Sequence, residues 1–353
     1  MNTPFYATRE EIKAELDVKE TARSNARIDR ALADATEAVY GLTHRVFYPV
    51  LTTRRFDWPP RGGATPWILR LNNNELISVT SLTSGGVTIA SSDYLLRRAD
   101  DGDEPPYTRI EINLSSNAAF GGGSTYQQDI AITGLFGYRN DETTLGATSE
   151  ALDTSETGID VDAATSAAVG VGSLLRIDTE RVIVTGRANL DTGQTLGAGG
   201  LTNQNNNVTV PVQSGAVFAA GESILIDSER MLVEDVAGNQ LTVRRAWDGA
   251  TIAAHTAGAV IYAPRTLTVV RAALGTTAAA HNSGATVYRW DAPGPVRQLC
   301  VAEALTDLLQ GRSGYARTAG AGENERETSG KGLADLRSRV YVSHGRKGRV
   351  RSV

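Results

Sequence analysis

Two short runs hold the residues of this chain best suited to chemistry. In "LLRIDTERVIV" (174–184), Asp178, Glu180 and Arg181 stand where "SILIDSERMLV" (223–233) has Asp227, Glu229 and Arg230, a constant offset of 227 − 178 = 49. Two carboxylates so close suit general acid–base work or a hard cation. Either role needs further ligands, and none is near in sequence. The same residues between apolar strand runs are also turn chemistry. Apolar alternation breaks at Asp227–Glu229 and resumes at Met231. The expectation is therefore an acid pair at a solvated hairpin tip. His255 and His281 recur in "AAHTAG" and "AAHNSG", where local hydrogen bonding is expected in preference to metal binding. The other histidines, His44 and His344, are scattered, and Cys300 is the single cysteine. No H-x-x-x-H or C-x-x-C spacing points to zinc. No P-loop, dinucleotide fingerprint or nucleophile elbow occurs. The expectation is no enzyme, no cofactor and no metal. A hydrolase using Asp178/Glu180 or Asp227/Glu229 is the enzymatic alternative.

The elements that must position these residues follow from the rest of the chain. Its 353 residues suggest two or three domains, and a net charge of −5 argues against a dedicated nucleic-acid binder. A lone cysteine excludes an internal disulfide and favours a cytosolic origin. No apolar run approaches the roughly 18–20 residues that span a bilayer, and the N-terminus has charges where a secretory signal needs its apolar segment.

The two ends have helical periodicity. "ATREEIKAEL" places Thr8 and Glu11 in capping-box spacing. "SNARIDRALADATEAVYGL" carries an apolar stripe of Ile28, Leu32, Ala35, Val39 and Leu42, with Gly41 as terminator. "PGPVRQLCVAEALTDLLQG" has Pro295 in its first turn, a stripe of Leu299, Ala302, Leu305 and Leu308/Leu309, and a stop at Gly311. Cys300 beside that stripe is expected to pack, not react. From Trp67 to Tyr138 the period becomes two, with turn signals between short runs, which predicts an antiparallel sandwich or barrel-like sheet.

The repeat is duplicated in halves. Residues 158–184 align with 207–233 at the offset of 49, and 241–262 align with 267–288 at 281 − 255 = 26. The order is first half, first half, second half, second half. An inner module at about 207–263, nested in an outer module of 158–186 and 265–290, explains that order. Hairpin tips tolerate insertions. Nesting requires 174–184 to pair with 267–272 and not with 241–246. The expected fold class is α+β. A helical domain is built from both chain ends, with an inserted antiparallel β domain and a nested pair of small β modules. The boundaries are 1–60 for N-terminal helices, 61–139 for the β domain, 140–157 for a polar linker, 158–291 for the modules and 292–353 for a C-terminal helix, arm and basic tail.

With the modules set aside, "RVFYP", "TTRRFDWPP", "WILRL", "LISVTSLT", "SDYLL", "YTRIEI" and "ITGLFGY" run in order up to Tyr138, and "APGPVRQLCVAEALTDLLQGR" follows. This layout resembles the head–tail connector (adaptor or head-completion) proteins of long-tailed bacteriophages over roughly 8–138 and 292–353. Phe136 stands where that family commonly has tryptophan, and the repeat block fills a site where it has only a few residues. The resemblance implies a non-enzymatic virion neck protein, made in the bacterial host cytoplasm. It implies a homo-oligomeric ring, usually of about twelve subunits, under the portal and around the DNA channel. Its partners are then the portal, a stopper or tail-completion protein, and passing double-stranded DNA without sequence-specific binding; no membrane is involved. Portal and neighbour contacts are expected at Arg312, Tyr315, Arg317, Leu333, Leu336, Arg337, Val340, Tyr341, Arg346, Lys347, Arg349 and Arg351. A disordered solubilising tail is the alternative for this end. The alternative for the whole chain is a virion-surface adhesion or decoration protein using the β modules, although Trp247 faces Ala273 in the other copy.

Overall fold

The computed structural model describes residues 3–16, 25–59, 65–100, 102–310, 318–319, 326–327 and 330–346. The fold is mixed α/β, mostly antiparallel sheet, with five helices among the described residues. It divides into two compact units.

One unit is Arg45–Asp141 with Leu274–Thr276. Seven strands form it: β1 (Val50–Phe56), β2 (Ile68–Arg70), β3 (Leu76–Ser84), β4 (Val87–Thr88), β5 (Tyr94–Arg97), β6 (Arg109–Ile112) and β7 (Ile130–Phe136). They make two sheets, β1-β7-β3-β4 and β2-β6-β5. The period-two pattern is realised along β7, where every second residue from Ile130 to Phe136 is buried. Those residues meet Leu69, Leu76, Leu82 and Ile110 in one apolar core. Gly134 is needed where β3 passes, because a Cβ there would lie 2.1 Å from the Ser78 carbonyl oxygen. Thr53–Phe56 of the Thr-Arg-Arg-Phe-Asp run lie in β1, which pairs with β7 along its length.

The other unit comprises the described residues of 1–44, 142–273 and 277–353. Its helices are α1 (Arg9–Glu15), α2 (Asn25–Thr43), α3 (Ala163–Ala168), α4 (Gly294–Gln310) and α5 (Gly330–His344). The capping box forms: Glu11 N donates to Thr8 Oγ1 at 3.2 Å and Thr8 N to Glu11 Oε2 at 2.8 Å. Ile28, Leu32, Ala35 and Val39 are buried along α2. The stop is not Gly41. It is His44, which takes the left-handed conformation (φ 53°) and whose N–H reaches back to Tyr40 at 2.7 Å. Helices from the two chain ends touch: Arg27 donates to the Leu308 carbonyl at 3.2 Å, and Thr36 Oγ1 lies 3.7 Å from Cys300 Sγ. They share one unit with the repeat strands and are not a domain apart from them. Cys300 is buried, and desolvation raises its thiol to about 11.

The repeat strands are β8 (Glu142–Ala147), β9 (Gly158–Asp160), β10 (Leu174–Ile177), β11 (Glu180–Thr195), β12 (Thr209–Pro211), β13 (Ser223–Ile226), β14 (Glu229–Ala237), β15 (Gln240–Arg244), β16 (Val260–Val270) and β17 (Thr286–Trp290). They form one sheet ordered β12-β15-β14-β13-β16-β11-β10-β17-β8, with β9 also on β16. Ile183 pairs with Val270 and Val184 with Val269, while Val233 pairs with Val243. That is the outer and inner pairing that nesting requires. The long strands β11 and β16 are shared: one half of each serves the outer module and the other half the inner. A register shift between Ala188 and Leu190 marks the changeover.

The two cores are built from the same positions. Outer Leu152, Leu175, Ile177, Val182, Val184, Leu267, Val269 and Val287 match inner Leu201, Ile224, Ile226, Met231, Val233, Leu241, Val243 and Ile261. Two expectations change here. The stretch 140–157 is not a linker: β8 pairs with β17, and Leu152 bridges His281 as Leu201 bridges His255. The inner module correspondingly begins before 207, since Leu196 and Leu201 lie in its core. The ungapped alignment also fails locally. Ile159 pairs with Leu267 as Val210 pairs with Leu241, an offset of 210 − 159 = 51. The inner copy replaces the six-residue α3 with a three-residue turn at Gly215–Val217, which restores the offset of 49 by β13.

Candidate functional site: two matched acid–histidine–arginine clusters

Both hairpins that carry the Asp-x-Glu-Arg run close with a two-residue loop, since Ile226 pairs with Glu229 and Ile177 with Glu180. The loop begins with Asp227 at φ 51° or Asp178 at φ 49°. Aspartate tolerates this left-handed region better than most residues. Asp227 and Asp178 therefore stay at the tip, with side chains 62% and 63% exposed. Glutamate opens the next strand, on the side of the sheet that faces the core. Glu229 and Glu180 are fully buried, not solvated.

A buried carboxylate is costly unless charge and hydrogen bonds compensate it. Arg245, following β15, donates to Glu229 from Nε and an Nη, both at 2.7 Å. Arg271 does the same to Glu180, both at 2.8 Å. The chain then turns left-handed at Ala246 and Ala272, each at φ 53°. Their N–H groups reach the glutamate at 3.0 and 2.9 Å, and those of Ala253 and Ala279 at 2.9 and 3.0 Å. His255 closes the inner set, with Nδ1 2.7 Å from Asp227 and Nε2 3.0 Å from Glu229. His281 repeats both distances with Asp178 and Glu180. The histidine bonds are thus long-range in sequence, not local. Burial is the largest influence on each glutamate and pushes its pKa upward. The arginine, two backbone N–H groups and the histidine together outweigh it, and both glutamates fall from 4.5 to about 2.

Arg245 further ties the carbonyls of Thr202, Asn207 and Ala253, and Arg271 those of Asp153, Glu156 and Ala279. Each cluster thereby fastens three separate chain segments. Each glutamate already receives four N–H donors, two from the arginine and two from the backbone, which with the histidine nitrogen beside it fill its acceptor sites. This geometry makes a structural clamp. Among the described residues no group of three or more His, Cys, Asp or Glu is arranged to hold a metal ion. The arginines were not singled out from sequence, yet a signal exists. Arg245/Arg271 and Ala253/Ala279 are identical across the two copies, as are the aspartate, glutamate and histidine.

The C-terminal candidates separate. Arg312, Tyr315, Arg317, Lys347, Arg349 and Arg351 lie outside the described residues. Leu333 and Leu336 are half-buried, and Val340 is fully buried within the chain. Arg337 is held by Glu303 of α4 at 2.5 and 2.7 Å. The N–H of Arg346 donates to the Thr43 carbonyl at 3.1 Å. Tyr341 is 42% exposed. Among the described residues no helix is long and apolar enough to cross a membrane. No family model, curated protein or solved structure matches this chain.

Proposed function

We propose that this chain is a structural head-to-tail adaptor of a bacteriophage virion, without catalytic activity. In this reading it forms a ring under the portal and around the DNA channel, joined below to a stopper or tail-completion protein. The helices contributed by both chain ends form the connector core, and the nested modules are decoration grafted onto it.

One observation carries the reading. The repeat block leaves and re-enters the chain at neighbouring points, because Glu142 at the start of β8 pairs with Trp290 at the end of β17. An insertion with adjacent ends can be added to a fold without disturbing it. Removing it brings the "ITGLFGY" run up to the "PGPV" helix start, which is the order of the family the chain resembles. The closed clamps support a structural role, since their buried glutamates are saturated. The net charge of −5 suits a passage for DNA, because each added cation would strengthen phosphate binding and slow sliding.

Mass measurement and negative-stain imaging of the full chain, alone and mixed with portal rings from the same genome, test this. Rings stacked on the portal, lost on deletion of 312–353, are expected. A chain that ignores the portal overturns the reading.

A further inference from the structure

The outward sheet face of the two modules differs, and the difference points to a partner. In the outer module this face carries the row Thr144, Tyr288, Arg176 and Arg181, with Glu142 on the same face two residues along β8. Arg176 donates to Glu142 at 2.6 Å and lies 4.1 Å from the Tyr288 ring centroid. Leu174, Arg181, Ile183 and Trp290 on the same face are all buried, and the Tyr6 ring sits 6.3 Å from Trp290. The outer face is self-satisfied and covered.

The inner module keeps the register and changes the chemistry. Asp191 pairs with Tyr262, Tyr262 with Leu225, and Leu225 with Arg230, so these four form one row on one face. Leu225 stands where the outer copy has Arg176 (225 − 176 = 49), so the bridging cation between acid and tyrosine is gone. Tyr262 is 36% exposed and Val260 37%. The Arg230 side chain is 45% exposed; it shares Asp248 with Lys13, which leaves that end one positive charge in excess. The row therefore runs from an exposed acid, through an aromatic and an aliphatic residue, to a base.

Such a row is complementary to itself when turned end for end. We infer that the inner module's outward face binds the same face of a second copy of this chain, about a two-fold axis between Tyr262 and Leu225. Asp191 of one copy then lies over Arg230 of the other, and Leu225 meets Tyr262 at the centre. A two-fold contact cannot relate neighbours around one cyclic ring, so this pair is distinct from the ring's own subunit contact. The contact is independent of portal docking.

Sedimentation of the full chain across about 1–100 μM tests this. A monomer–dimer equilibrium is expected. Arg230→Asp and Asp191→Arg should each weaken it by about tenfold or more, and the double variant should restore it, because reversed charges regain their partners. Leu225→Arg puts the outer copy's arginine beside Tyr262 and Asp191 and should abolish pairing with the far-UV spectrum unchanged. Leu225→Cys gives a readout that does not depend on affinity. It places cysteines beside the axis, where oxidation should yield a cross-linked dimer, the native Cys300 being buried. A chain that stays monomeric to about 100 μM overturns the inference. So do dimers indifferent to Leu225→Arg and Arg230→Asp.

Discussion

Replacing Glu229 with alanine tests the clamp most directly. The substitution leaves the Arg245 guanidinium, whose side chain has no solvent exposure, without its counter-ion. Breaking a buried pair from one side costs about 3–5 kcal/mol. The N–H groups of Ala246 and Ala253 also lose their acceptor, at about 1–3 kcal/mol each if they stay dry. These costs overlap, because water can enter the space vacated by the side chain, so about 4 kcal/mol in total is expected. A domain has only about 5–15 kcal/mol to lose. Urea denaturation should therefore show an early transition. Hydrogen exchange should place it in 196–263, with the Arg45–Asp141 unit still protected. Glu229→Leu with Arg245→Met removes both charges and should recover part of the loss. It cannot recover all, since the carbonyls of Thr202 and Asn207 lose a donor. Glu180→Ala should behave alike in the outer module. A loss below about 1 kcal/mol for Glu229→Ala would refute the reasoning, because the carboxylate would then not be compensating Arg245.

The same clusters set an acid limit. Both glutamates have folded values depressed from 4.5 to about 2, so their stabilisation is complete above about 4.5 and is lost as pH falls toward 2. At about 1.36 kcal/mol per tenfold change in proton affinity, the upper figure is about 3.4 kcal/mol per glutamate; pH-dependent urea midpoints measure it, and Glu229→Ala should flatten the dependence. Cys300, buried with its thiol raised to about 11, should resist maleimide at pH 7.5 in the native chain and react fully in urea. Gly172→Ala should destabilise by about 2–3 kcal/mol, read as a lowered thermal midpoint, since Gly172 has φ 99° and a Cβ there would lie 2.4 Å from the Phe5 ring. Joining Ala188 to Thr266 through Asn-Gly, in place of the inner module, should leave a folded outer module by circular dichroism, because Ala188 and Thr266 are paired neighbours.

Sequence periodicity revealed the elements well where local signals decide them. The Thr8/Glu11 capping box, the α2 stripe and the nested strand pairing all follow from spacing. The failures share a physical cause. Glu180 and Glu229 read as turn residues, because nothing in "IDTER" or "IDSER" shows an arginine arriving from 16 residues away in one copy and 91 in the other. Burial of a charge is a tertiary property. Sequence points to Gly41 and not His44 as the α2 stop because glycine is the commoner left-handed cap. The strand in 142–147 was hidden by its polar composition, and its pairing with β17 is set by the module edge. Duplication is the best guide: residues identical in both copies include every side chain of the clamp.

The clamp also explains how one module can sit inside another. The Glu–His contact closes a span of 26 residues in the inner copy and 101 in the outer, at the same 3.0 Å. Lengthening that loop raises the closure cost by (3/2)RT ln(101/26), about 1.2 kcal/mol. Breaking a buried, arginine-paired carboxylate costs about 3–5 kcal/mol, which is larger. The outer halves therefore stay joined whatever is threaded between them, provided the insert leaves and returns at one point. The inner module meets that condition, because it shares β11 and β16 with its host and emerges from a paired hairpin. Its own hairpin at 237–240 closes directly, and each copy carries its own core and its own clamp. A module built in this way brings its own core and its own fastening, so a second copy can be accepted without rebuilding the first.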